Sequence, residues 1–385
     1  MSPALQREVA LEIHSMPSGA GPHPLAIYLR GLAAPRVGTV DDATLLAELR
    51  AQGFIVATLD YDGAREARWP RLNLDLVALR TQLHRRALWR DQPINPAAIY
   101  LVPAGCRVRR GVEFFRDGDR RLALDLIYPA APRAPVGALL EFSCDNLNRM
   151  GNFSLQFCTD SILEAAASEG FAVAMADHPV AAPYEGFDPL PDSAHKVKAA
   201  VRTLRAQSAE LGLNGRIVTV GFSRGSGMAL LAAATVGRQD MEHGGAHLGV
   251  DSTVQGAVVL SGRFTYLDLL PSDLMIPRYV AAWGERSANA EVWRSQGALD
   301  QAPGPNVPLF LSINLSEAPD ALHQMEVLRT QLTARGVPFE YHPENEPRGH
   351  RMPLDKGVLR AMLQYFRQRL FVAGPGLPAS TLPTP

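Results

Sequence analysis

The chain is 385 residues long, 46% hydrophobic and 20% charged, a composition that buries a core and excludes a disordered or low-complexity protein. Its net charge is -1, with arginines scattered among acids, which gives no basic stripe for nucleic acid; no apolar run approaches the roughly 20 residues needed to span a bilayer. Cys106, Cys144 and Cys158 form no CxxC pair, so neither a disulfide framework nor a thiolate zinc site is indicated, and all three are expected buried and reduced.

The first thirty residues lack the positive start, apolar stretch and small-residue cleavage site of a secretory leader. The chain therefore reads as cytoplasmic, although a trimmed leader would leave the same sequence. From residue 25, short apolar runs alternate with amphipathic stretches: PLAIYLRGL, DDATLLAELRAQG, FIVATLDYDG, LNLDLVALRTQL and AAIYLVPAG. This βαβαβ rhythm predicts three strands and two helices over residues 1–104 and favours a parallel sheet. Asp41 and Asp42 mark a helix start, and Gly53 marks its stop. With no Gly/Ser or Pro-rich linker after residue 104, the N-terminal part is expected to be an α/β subdomain packed on the remainder of the chain.

Residues 107–128 break the rhythm with two runs of alternating polarity around Asp117-Gly118, a hairpin signal. A second α/β series runs from GALLEFS to the helix DKGVLRAMLQYFRQRLF. It predicts a doubly wound, mostly parallel sheet over residues 105–372, with one helix spanning 192–212. The tail 373–385, rich in Pro and Gly, has nothing to pack and is expected disordered.

The sharpest signal is Gly221-Phe222-Ser223-Arg224-Gly225, directly after the apolar run RIVTV and directly before a helix. A strand-to-helix turn this tight strains the central residue, and glycine at both flanking positions avoids collision with the turn. The Ser223 hydroxyl is then exposed as a nucleophile, while the backbone N–H of Arg224 faces the charge that develops on a substrate oxygen. The alternative is a serine N-cap with glycine used only for the turn.

A serine hydroxyl needs a base, and with a Gly-x-Ser-x-Gly elbow of this kind the chain order is serine, acid, histidine. His350 meets this demand, lying in EPRGHRMP after the last predicted strand. The other nine histidines precede the serine, fall in helices or have no matching loop, and His342 reads better as a strand-end residue. The acid should come after VPLFLSIN, where Glu317 and Asp320 are the candidates. Asp320 has a competing role as the N-cap of the next helix, so Glu317 is preferred.

The second oxyanion donor belongs after GALLEFS, in the run Cys144-Asp145-Asn146-Leu147-Asn148-Arg149. Any backbone N–H can donate, so Asp145 or Asn146 can serve there. Arg149 reads either as a substrate-binding wall or as a surface arginine on a polar turn. Asp177-His178 ends another strand at the same sheet edge and reads equally as pocket lining or as a loop reversing into the helix that begins at Asp192 or Ser193. Phe264, Tyr266, Trp283 and Trp293, in an insertion after the nucleophile helix, are candidate pocket aromatics and equally good satellite-core residues.

With Ser223, Glu317 and His350 in that order, residues 105–372 resemble the α/β-hydrolase superfamily, and within it bacterial esterases of the acetyl-xylan-esterase and dienelactone-hydrolase-like kind. The hairpin ending RLALDLIYPA looks like the strand pair that opens those domains, and GFSRGSGMALLAAA like their elbow and following helix; FLSINLSEAPD, read without gaps, puts Glu317 on the acid position. The resemblance implies ester hydrolysis through an acyl-enzyme, with no metal or organic cofactor; a small-molecule or carbohydrate ester is the expected substrate, and charge and hydropathy lead to no expectation of a nucleic-acid or membrane partner. This chain departs from the pattern in lacking an HGGG-like run and in using glutamate as the acid.

Overall fold

The computed structural model describes residues 11–15, 17, 19, 21–32, 38, 40–61, 69–85, 93–142, 160–179, 190–301 and 304–371. The N-terminal part contains β1 (Leu11–Ser15), β2 (His23–Arg30), α1 (Asp42–Ala51), β3 (Ile55–Asp60), α2 (Arg71–Arg85) and β4 (Ile94–Pro103). These strands form a four-stranded sheet in the order β1-β3-β2-β4, parallel except for β1. The short strand β1 is additional to the three that periodicity predicts. Leu25 through Leu29 are all buried, as expected of a parallel strand covered on both faces. Asp41 caps α1 by accepting from the Thr44 amide at 3.2 Å, and Gly53 takes a positive φ of 78° to turn the chain into β3.

The second sheet is built from β5 (Cys106–Asp117), β6 (Arg120–Pro129), β7 (Val136–Phe142), β8 (Ala172–Ala176), β9 (Leu213–Phe222), β10 (Gly256–Leu260), β11 (Leu309–Ser312) and β12 (Phe339–Tyr341). Their order is β12-β11-β10-β9-β7-β8-β6-β5, and β6 runs antiparallel to both of its neighbours. Asp117 pairs with Arg120, so the hairpin loop is Gly118-Asp119, with Gly118 at φ 56°, one residue later than the Asp-Gly signal suggests. Every residue of β7, β8 and β10 is buried, because helices cover both faces. The helices are α3 (Asp160–Ser168), α4 (Leu190–Ala206), α5 (Ser208–Leu211), α6 (Arg224–Ala234), α7 (Ile276–Trp283), α8 (Ala290–Ser295), α9 (Pro319–Ala334) and α10 (Lys356–Leu370).

Two expectations are corrected here. The predicted helix over 192–212 starts earlier, at Leu190, and breaks at Gln207 into α4 and α5, with Gly212 closing α5 at φ 68°. Asp320 does not cap α9: Ala318 is the N-cap, and Asp320 lies in the first turn.

The two sheets share one apolar core, in which Tyr28, Leu76 and Leu101 join Phe171, Leu359 and Phe366. Polar contacts stitch the same boundary. The Trp69 indole N–H donates to the Leu359 carbonyl, Tyr100 Oη to Asp125 at 2.6 Å, and the Leu101 amide to Glu164 at 2.7 Å. Arg107 grips Glu48 through two bonds of 2.8 Å. Cys106 lies in this core as a free thiol, and burial pushes its pKa up to about 12. Cys144, Cys158 and the tail 372–385 lie outside the described residues.

Candidate active site

In a parallel sheet the carboxyl ends of successive strands share one edge, so loops distant in sequence converge there. The turn from β9 into α6 carries Ser223, whose φ of 55° and ψ of -120° are strained for a non-glycine residue. The turn is held by the Ser223 amide, which donates to the Leu260 carbonyl at 3.1 Å. A Cβ on Gly221 would overlap the Gly225 carbonyl, so glycine is required at 221 by close approach. Gly221→Ala should therefore destabilise the fold by about 3 kcal/mol, the cost of forcing an extra carbon into a closed site; an unchanged urea midpoint would contradict this packing.

His350 follows Gly349, which takes φ 62°, in the loop after β12. Its Nε2 lies 3.0 Å from Ser223 Oγ and its Nδ1 2.6 Å from Glu317 Oε2. With the proton on Nδ1 directed at the carboxylate, Nε2 is left to accept from the serine hydroxyl. The imidazole also stacks on Phe222, with ring centroids 4.6 Å apart. The histidine loop is staked to the acid loop: Asn314 Nδ2 donates to the Gly349 carbonyl at 3.2 Å, and Ser316 Oγ accepts from the Gly349 amide at 2.9 Å. Glu344 holds the far side by pairing with Arg348 and accepting from the Leu354 amide at 3.0 Å.

Of the two candidate acids, the structure brings Glu317 to the imidazole and takes Asp320 elsewhere. The Glu317 side chain is 1% exposed. Asp320 instead accepts from Arg263 Nη2 at 2.5 Å, and the same guanidinium makes two further bonds, of 3.1 and 2.7 Å, to Asp273. Arg263 thus ties the loop after β10 to the insertion and to the start of α9. His342 stacks on Phe310, away from the serine. Arg224 is the first residue of α6, which puts its amide at the helix N-terminus beside Ser223. Asp145, Asn146 and Arg149 lie outside the described residues.

Ser223 and His350 open into a cavity of about 350 Å³. Tyr266 and Trp283 line it, as does His178, whereas Phe264 belongs to the main core and Trp293 to a satellite cluster behind the wall. Sequence reading missed Tyr279, which also lines the cavity. Its ring stacks on Trp283 one helical turn away at 5.0 Å, and Tyr266 meets both edge-on. The signal available was the i, i+4 spacing of Tyr279 and Trp283 in IPRYVAAW. Ser261, beside the acid, was also missed. Among the described residues, no three His, Cys, Asp or Glu side chains gather into a group that could hold a metal, and no helix is long and apolar enough to cross a membrane.

Residues 150–270 match the BD-FAE family model, an α/β-hydrolase-type esterase family. No curated protein sequence matches. Among solved structures, a truncated carbohydrate esterase from gut microbiota is 18% identical with a TM-score of 0.56, the alignment covering 68% of this chain and 95% of that one. An esterase from the planctomycete Thermogutta terrifontis is 17% identical with a TM-score of 0.54, covering 72% and 97%. Inhibited esterase B from Lactobacillus rhamnosis is 16% identical with a TM-score of 0.55, covering 77% and 96%. Strand order, the single antiparallel β6, the turn at Ser223 and these likenesses agree: the chain has the α/β-hydrolase fold.

Proposed function

We propose that the protein is a carboxylic-ester hydrolase working through an acyl-enzyme. The observation that carries this reading is the continuous hydrogen-bond chain from Ser223 through His350 to Glu317, opening on a cavity at the carboxyl edge of the sheet. Ser223 Oγ attacks the acyl carbon as its proton passes to His350 Nε2. The tetrahedral oxyanion meets the amide of Arg224 at the start of α6, with a second donor assigned to the run containing Asp145 and Asn146. Collapse returns the proton to the leaving alkoxide. Water, deprotonated by the same imidazole, then releases the acid and restores the serine. Glu317 keeps the imidazole in the tautomer that accepts at Nε2. Each bond change closes with these groups and water alone.

The substrate class is a small-molecule or carbohydrate ester, supported by the aromatic lining of the cavity and by the carbohydrate esterase among the structural likenesses. Residues 1–104 are read as a subdomain that buttresses the catalytic part, supported by the shared core. A cytoplasmic setting belongs to the same reading and is supported by cysteine usage, three residues with no CxxC pair. The test compares a p-nitrophenyl acyl ester with an aminoacyl anilide and maps the site of fluorophosphonate attachment. The expected result is ester turnover with label on Ser223. Faster anilide cleavage would redirect the assignment to an amidase, and an inert protein that takes no label would end it.

A further inference from the structure

We infer that Ser261 is a positioning residue of the catalytic machinery, acting through Glu317; this rests on the serine-hydrolase reading above. Ser261 follows β10 and holds a positive φ of 54°, as Ser223 does. A non-glycine residue kept in this region costs on the order of 1–3 kcal/mol, and its neighbours must impose the conformation. The imposing contacts are visible. The Ser261 amide donates to the Ser312 carbonyl at 3.0 Å, and the preceding carbonyl, of Leu260, accepts from the nucleophile's own amide. Gly262 packs so closely behind Ser223 and Ser226 that a Cβ there would overlap them.

The strain aims one hydroxyl. Ser261 Oγ is 1% exposed with its residue and donates to Glu317 Oε2 at 2.7 Å, the same oxygen that faces His350 Nδ1 at 2.6 Å. It also lies 3.3 Å from that Nδ1. Glu317 Oε1 is buried without a hydrogen-bond partner among the described residues. Among the described residues the buried carboxylate therefore has two hydrogen-bond donors, the imidazole and Ser261, both on one oxygen. A glutamate side chain has one more rotatable bond than an aspartate and needs an anchor independent of the histidine. Ser261 supplies it, fixing which oxygen meets the imidazole. The turn bearing Ser261 thus joins the nucleophile turn to the acid, so that the first and last members of the chain share one support.

The test uses the full chain. Ser261→Ala removes the hydroxyl while leaving backbone demands nearly as they are, and Ser261→Gly removes it while relaxing the positive φ. Both should lower kcat on a p-nitrophenyl ester by about 10- to 100-fold, with KM moving by less than about threefold, as for loss of an interaction made in the transition state. Fluorophosphonate labelling of Ser223 should slow in parallel. If the alanine variant does not fold, the glycine variant carries the measurement. In a Glu317→Gln background the Ser261 loss should shrink to about threefold or less, because residues acting as a unit are not additive. A kcat within twofold of the parent enzyme, or losses that multiply fully with those of Glu317→Gln, overturns the inference alone. Activity surviving Ser223→Ala would bring down the hydrolase reading and this inference with it.

Discussion

Ser223→Ala is expected to lower kcat on a p-nitrophenyl ester by on the order of a millionfold and to abolish fluorophosphonate labelling, while the melting temperature stays within a few degrees of the parent. The reason is geometric. Ser223 Oγ lies 3.0 Å from His350 Nε2, and alanine leaves no oxygen for the imidazole to activate. Water would have to be positioned in its place by a turn built around a side chain. The fold should be indifferent, since the Ser223 side chain makes no capping bond to α6. His350→Ala should cost a similar factor, and the double variant should be no slower than either single one, because the two groups perform one step. A Ser223→Ala protein retaining even a hundredth of the parent rate would show that another group carries the chemistry.

The second large effect separates the two acids of the loop after β11. Glu317→Gln should reduce kcat by about 1,000- to 10,000-fold, since an amide cannot stabilise the imidazolium and can turn its own N–H toward Nδ1, favouring the wrong tautomer. Asp320→Asn should change kcat by less than about tenfold, because Asp320 lies against Arg263 and makes no bond to His350. Its cost should appear in stability. Arg263 retains Asp273 but loses charge across the junction between the insertion and α9. Parallel kinetics and thermal melts on both variants decide the matter. If Asp320→Asn were the slower enzyme, the acid assignment would be reversed.

Much of this site could be read in the sequence because backbone geometry demands particular residues there. Gly221 must be glycine where the chain doubles back on Gly225, and a serine wedged between the apolar β9 and α6 has few other uses. The loop of His350 was recognisable because it follows the last strand and leads into a long amphipathic helix. Glu317 and Asp320 were not separable in this way: they lie three residues apart on one loop, and what divides them is Arg263, a residue distant in sequence that claims Asp320. Ser261 carries no motif, since the role inferred for it depends on a positive φ held by Ser312 at the end of β11 and by the Ser223 turn that follows β9. The break between α4 and α5 was hidden for a related reason, as the run to Gly212 keeps helical composition while Leu213 is already claimed by the sheet.

The indole of Trp69 reaches the carbonyl of Leu359 and its ring meets Phe366 edge-on, so α10 is covered from outside by the N-terminal part of the chain. A minimal catalyst made by cutting the gene ahead of Cys106 would strip that cover and take the Leu101 amide from Glu164. Such a product would carry a greasy flank next to the helix that anchors the histidine loop, and would be prone to clump before it could be assayed. Directed-evolution libraries seeking a smaller enzyme should therefore spare the first hundred codons and accept diversity at the cavity wall instead.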